Sequence, residues 1–179
     1  MSPAPTFRPF ERERDETALF DLLCTETWTY RVKVRLTTED VRKELDLGVY
    51  TNPDVLTFLI DVGDEVAGYV RADDLDEERT DPQLDFRVRE RFRGQGIGQE
   101  ALAFITREIF DRYPQKRRIE GQTRRDNAAM RKVFERGGYA LEGVFRSAWP
   151  TDGEYFDGMG YAILRSDWET GVTTLVDFS

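Results

Sequence analysis

At 179 residues, 39% of them hydrophobic and 34% charged, the chain suits one domain around one apolar core, and its regular apolar runs exclude a disordered polymer. No apolar run approaches the ~20 residues needed to span a bilayer, and a formal net charge of −9 argues against nucleic acid as a partner. There is no histidine and one cysteine, Cys24, so the commonest general base, the commonest zinc ligand and an internal disulfide are all missing and no metal is expected.

The first six residues, Met1 to Thr6, hold neither a basic stretch nor an apolar one, so no secretory signal and a cytoplasmic location are expected. Thr6 to Pro9 reads as a short strand. Asp15 to Glu26 reads as a helix in which Cys24 fills core, and Thr38 to Leu47 as a second helix behind a Thr-Thr-Glu-Asp cap signal. Between them lies an aromatic, irregular segment around Trp28 and Tyr30. Val55 to Val62 and Val66 to Ala72 are strands split by the hairpin signal Gly63-Asp64-Glu65. After an acidic connection, Asp73 to Pro82, the strand Gln83 to Arg89 runs into a glycine-rich turn. A helix follows, with Ile97, Ala101, Phe104 and Ile105 at helical spacing, and ends before Pro114. Arg117 to Thr123 is a strand, and Asp126 to Arg136 a helix stopped by Gly137-Gly138. Tyr139 to Ala148 and Tyr155 to Leu164 close the chain as a hairpin. The order is that of a single α+β domain over 1–179, without repeat or linker, built on a mixed sheet.

The turn Arg93-Gly94-Gln95-Gly96-Ile97-Gly98 carries the most chemistry. Glycines between a strand and a helix free backbone N–H groups, and the helix N-terminus adds partial positive charge, so a phosphate or pyrophosphate fits there. No Lys-Ser/Thr follows, which rejects a nucleoside-triphosphate loop. Gln99 stands where a dinucleotide fingerprint needs its third glycine. The charge pattern agrees with an anionic ligand: Arg87 to Arg136 holds 14 Lys and Arg against 7 Asp and Glu, inside an otherwise acidic chain.

Three motifs in order resemble the GNAT superfamily of acyl-CoA-dependent N-acyltransferases. They are the turn Arg93 to Gly98, the helix from Asn127 through Met130 and Phe134 to Gly138, and the terminal hairpin from Glu142 to Leu164. The last is similar to the branch that acetylates N-termini of ribosomal proteins. The resemblance covers about residues 6–168. It implies a GNAT-type domain with a mixed, mostly antiparallel central sheet flanked by helices. It also implies acetyl-CoA as co-substrate: pyrophosphate on Arg93, Gly94, Gln95, Gly96, Ile97 and Gly98, pantetheine along Phe86 and Val88, and a hydrogen bond from Asn127. Arg89, Arg91, Arg124, Arg125, Arg131 and Lys132 are candidates for the nucleotide phosphates.

The same resemblance implies a general acid on the Asn127 helix, yet Phe134 stands where the family often has tyrosine and Met130 where it has serine. Asp85, on the strand where the family tends to carry a glutamate, is the first choice for a base. Asp157 and Glu154 are the second choices, and Tyr155 is a candidate for the missing acid. Trp28, Tyr30 and the acidic residues Asp73, Asp74, Asp76, Glu77 and Glu78 offer walls for an amine, so the expected acceptor is a small amine, a polyamine or a peptide N-terminus, met by a monomer or homodimer. A direct transfer is expected rather than an acyl-enzyme. A protein that only binds or senses acyl-CoA is the alternative.

Overall fold

A computed structural model describes residues 3–76 and 80–177. Its strands are β1 (Thr6–Pro9), β2 (Leu56–Val62), β3 (Glu65–Asp73), β4 (Gln83–Val88), β5 (Arg118–Arg124), β6 (Ala140–Thr151) and β7 (Glu154–Leu164). The helices are α1 (Arg12–Thr25), α2 (Thr38–Asp46), α3 (Ile97–Arg112), α4 (Ala128–Arg136) and α5 (Arg165–Thr170). The strands form one sheet in the order β1-β2-β3-β4-β5-β7-β6, antiparallel throughout except for the β4–β5 pair. The mostly antiparallel sheet expected above is what the chain forms.

Alternation along the strands sorts side chains onto two faces. Phe58, Ile60 and Val62 of β2 and Val70 and Ala72 of β3 pack with Ile97, Ala101, Ile105 and Ile109 of α3. Leu59 and Tyr69, one step out of phase, pack with Leu19, Leu22 and Leu23 of α1 and with Val41 and Leu45 of α2. Each such buried side chain contributes roughly 1.5–3 kcal/mol, so the two layers clamp the sheet from both sides. Helix α2 starts where the cap signal stands: Thr37 and Asp40 form a reciprocal capping box. Helix α1 begins earlier than its apolar spacing suggested, because Asp15 accepts the Glu11 N–H and binds Arg8 and Arg14. Burial disfavours the charged Asp15 carboxyl, but those donors outweigh it and bring the group down to about 2. The short α5 has too few apolar positions to announce itself in the sequence.

One feature of the sheet positions everything functional. Strands β4 and β5 pair only at Gln83–Glu120 and Leu84–Gly121, and then diverge. From Asp85 onward β4 keeps its partner on the β3 side, where Asp85 pairs with Arg71 and Arg87 with Tyr69. Its other edge faces a gap.

Candidate active site

Strand geometry decides which groups look into that gap. The N–H and C=O of one residue point the same way, and successive residues alternate. Leu84 is held by β5, so Phe86 and Val88 present their backbone groups to the same side, past the point of divergence. Two guanidinium groups confirm the direction: Arg31 donates to the Phe86 carbonyl, and Arg93 Nε donates to the Val88 carbonyl at 2.9 Å.

At the far end of β4 a single 3₁₀ turn, Glu90–Phe92, leads into the glycine segment. Gly94 (φ 75°) and Gly96 (φ 86°) are left-handed, and Gly96 is the N-cap of α3. That conformation aims consecutive amides one way, and none of the N–H groups from Gly94 to Gly98 meets an acceptor among the described residues. A Cβ at Gly94 or Gly96 would meet nothing within 4 Å, so the space above the turn is open. At Gly98 a Cβ would stand 3.4 Å from Val133, which makes this glycine one that lets α3 approach α4.

A cavity of about 380 Å³ joins these parts. Arg93, Gly94, Gly96, Ile97 and Gly98 line one end; Leu84, Phe86 and Val88 run along it; Asn127, Met130, Val133 and Phe134 form the α4 wall. Gln95 lies outside the lining and turns its amide back to the Arg91 carbonyl at 2.9 Å. Asn127 caps α4 by accepting the Met130 N–H at 3.2 Å, and one of its amide hydrogens goes to Thr123 at 3.0 Å. Of the six residues considered for nucleotide phosphates, Lys132 lines the cavity, where it is joined by Arg93 and Arg136. The other five are engaged elsewhere: Arg89 with Asp21 and Glu26, Arg91 with Glu65, Arg124 with Asp126, Arg125 with Asp157, and Arg131 with Tyr161.

The opposite end is roofed by the segment between α1 and α2. Trp149 Nε1 donates to the Tyr30 carbonyl at 3.1 Å, Arg124 to the Thr29 carbonyl at 3.2 Å, and Asp152 N to the Val32 carbonyl at 3.2 Å. These bonds tie the roof to the β6–β7 hairpin and place Trp28, Thr29, Tyr30 and Arg31 over the cavity. Asp73, Asp74 and Asp76 are not in its wall. Asp73 pairs with Arg71, and Lys116 ties the loop by donating to the Asp74 carbonyl at 2.8 Å. Glu77 and Glu78 lie outside the described residues.

Asp85 sits on the other face of β4 from Phe86, with its side chain 14% exposed. It pairs with Arg31 and accepts the Tyr69 hydroxyl at 2.5 Å. Burial pushes its carboxyl up, but the guanidinium groups of Arg31, Arg87 and Arg71 and the Tyr69 hydroxyl reverse that and hold it well below the usual carboxylate range. Burial also pushes the Tyr69 phenol up to about 12, although Arg87 opposes the rise. Asp157 is away from the cavity: it accepts the N–H of Ser147, a left-handed residue in a β6 irregularity, at 3.0 Å, and pairs with Arg125 at 3.1 Å. Those two bonds lower its pKa, the Ser147 N–H first. Tyr155 and Glu154 sit at the hairpin tip, Tyr155 69% exposed, and neither lines the cavity.

Phe134 is 1% exposed, stacked on Tyr161 at 5.1 Å between ring centroids. Its ring lies against Gly121, where a Cβ would come within 2.4 Å of it. Sequence reasoning missed Arg31 and Arg87, both in the cavity wall. The signal for Arg87 was present, since the alternation that puts Gln83 and Asp85 on one face puts Arg87 there too.

A family model described as an acetyltransferase (GNAT) domain matches residues 6–140. Among solved structures, the fold is similar to RimL, a ribosomal L7/L12 α-N-protein acetyltransferase in complex with coenzyme A, with a TM-score of 0.78 and 23% identity over 91% of this chain and 95% of that one. It is equally similar, at a TM-score of 0.78 and 17% identity over 92% and 98% of the two chains, to spermidine N-acetyltransferase from Vibrio cholerae in complex with CoA and spermine. Mycobacterium smegmatis RimJ in complex with CoA-disulfide matches at a TM-score of 0.73, with 21% identity over 92% and 84%. A sequence search of curated proteins gave no match.

Proposed function

The chain belongs to the GNAT acetyltransferase family, and on that premise we propose that it moves an acetyl group from acetyl-CoA to a primary amine by direct attack within a ternary complex. The observation that carries this reading is the divergence of β4 from β5, with backbone groups along one edge left without a strand partner and unpaired N–H groups of Gly94 to Gly98 at its end. The N–H cradle and the α3 N-terminus suit the pyrophosphate, with Lys132, Arg93 and Arg136 beside it. Phe86 and Val88 offer the strand edge to the pantetheine amides. Their N–H groups are the oxyanion donors nearest the divergence. Asn127 supports the same arm from α4. Arg31 and Arg93 hold the two β4 carbonyls that the arm needs, so both guanidinium groups must swing aside when it binds.

Among the described residues the cavity wall holds no carboxylate. In this reading Asp85 is not the proton acceptor: a carboxylate stabilised by three guanidinium groups is a weak base, and its work is to order Arg31 and Tyr69. The acceptor amine enters the neutral form by losing its proton to solvent. Its lone pair then forms the N–C bond, the C–S bond breaks, the nitrogen gives up its remaining excess proton to water, and the thiolate takes a proton from water. A thiol with pKa near ~8.5 leaves without a dedicated acid, which fits phenylalanine at position 134.

Steady-state release of CoA from acetyl-CoA with a panel of amines tests the reading. Turnover supports it. Tight acetyl-CoA binding without turnover on peptides, amino acids or polyamines would leave the protein a binding or sensing module instead.

A further inference from the structure

The roofed end of the cavity, opposite the glycine turn, contains a guanidinium with no hydrogen-bond acceptor among the described residues. Arg87 follows Phe86 on β4, and its guanidinium lies 5.2 Å from the Trp28 ring centroid and 5.9 Å from that of Tyr69. Trp28 and Arg87 both line the cavity. Arg87 makes no hydrogen bond and no ion pair among the described residues, and its Nε and Nη1 are buried without an acceptor. The acids around it are committed: Asp85 to Arg31 and Tyr69, Asp73 to Arg71, Glu44 to the Tyr50 hydroxyl at 2.5 Å. Unpaired polar groups of this kind are costly in a folded core, and more so when charged. Of the remaining cations on this side, Arg31 is paired with Asp85, and Arg93 stands with the glycine turn, where the pyrophosphate is assigned.

Resting on the acetyltransferase reading, we infer that the acceptor carries a carboxylate within a few bonds of its amine, and that Arg87 binds it. The spacing supports this. Residues along a strand advance ~3.4 Å each, so Arg87 starts one step from the Phe86 and Val88 backbone groups beside the reacting carbon. A guanidinium starting that close reaches a carboxylate only on a short acceptor skeleton, either a free amino acid or the acidic first residue of a peptide. The fork of N–H donors matches a carboxylate bidentately, while the flanking indole and phenol fix its plane. A polyamine brings no anion to this wall, and Asp73, Asp74 and Asp76, expected to receive one, stand elsewhere.

The test compares acceptors that differ only in that charge. CoA release is measured with tetrapeptides beginning with Asp or with Asn, with free aspartate and glutamate, and with spermidine. The Asp peptide is expected to exceed the Asn peptide by about 10- to 100-fold in kcat/KM, mostly through KM. The free amino acids against the Asp peptide tell which source of carboxylate the site takes. Arg87→Met should collapse the Asp/Asn ratio to about one, and Arg87→Lys should keep part of it. The same preference is read without turnover as quenching of tryptophan fluorescence in the CoA-bound protein. Equal rates and equal quenching with Asp and Asn peptides together with no advantage for the free amino acids, or a preference for spermidine, overturn the inference while leaving the acetyltransferase reading intact. Failure of acetyl-CoA to bind defeats that reading instead.

Discussion

Replacing Gly96 by alanine separates the cradle's ligand role from its backbone role. Gly96 has φ 86°, and an added Cβ meets nothing within 4 Å, so the substitution brings left-handed strain but no clash. That strain costs about 1–2 kcal/mol. For a chain of this size each kcal/mol lowers the melting temperature by roughly 2–4 °C, so a fall of about 2–8 °C is expected. Gly153 supplies the control: its φ is 87°, its Cβ would also meet nothing within 4 Å, and it sits in the β6–β7 turn away from the cavity. Gly153→Ala should lose similar stability. Only Gly96→Ala should lose acetyl-CoA affinity, by at least about 10-fold, because its methyl occupies the space over the free N–H groups. Thermal melting gives the first quantity and calorimetric titration of acetyl-CoA the second. Equal affinities in the two variants would refute the assignment of Gly94 to Gly98 as the pyrophosphate cradle.

At Gly121 the opposite situation holds. Alanine there drives a methyl to 2.4 Å from the Phe134 ring, so Gly121→Ala should cost about 1–3 kcal/mol in denaturant melting and raise KM for acetyl-CoA by displacing that ring into the cavity. Asp85→Asn leaves Arg31 without its paired carboxylate, with Arg87 and Arg71 close by, and should cost about 3–5 kcal/mol. Because the folded Asp85 carboxyl lies below its unfolded value, its contribution is complete above about pH 4 and is lost as pH falls through the folded value; acid titration of wild type and variant should therefore converge at low pH. If solvent takes the amine proton, the rising limb of kcat/KM against pH should follow the acceptor, near ~8 for a peptide α-amine and toward ~10.4 for a lysine side chain. A limb fixed at one pH for both acceptors would identify a base on the protein.

The glycine turn was legible in the sequence because it is local. Gly94, Gly96 and Gly98 lie within one turn, and backbone N–H groups need only the right dihedral angles, which glycine alone adopts freely. Asn127, which the sequence put at the head of its helix, is equally local: it caps α4 through a bond three residues ahead. The roofed end of the cavity is assembled from distant segments. Arg31 reaches Phe86 and Asp85 across more than fifty residues, and Trp149 holds Tyr30 from the far hairpin. Charge runs misled for that reason: Asp73 to Asp76 read as a wall, yet Arg71 and Lys116 tie that loop away from the cavity.

From the sequence alone came the element order, the glycine turn and the family resemblance, since each depends on spacing along one chain. Tertiary structure decided what each charge faces. It put Asp85 among three guanidinium groups, took five of six candidate phosphate cations into other pairs, and left Arg87 beside the cavity without an acceptor. Electrostatic role depends on distance and burial, and only the packing of β4 against β3 and under the α1–α2 segment sets those.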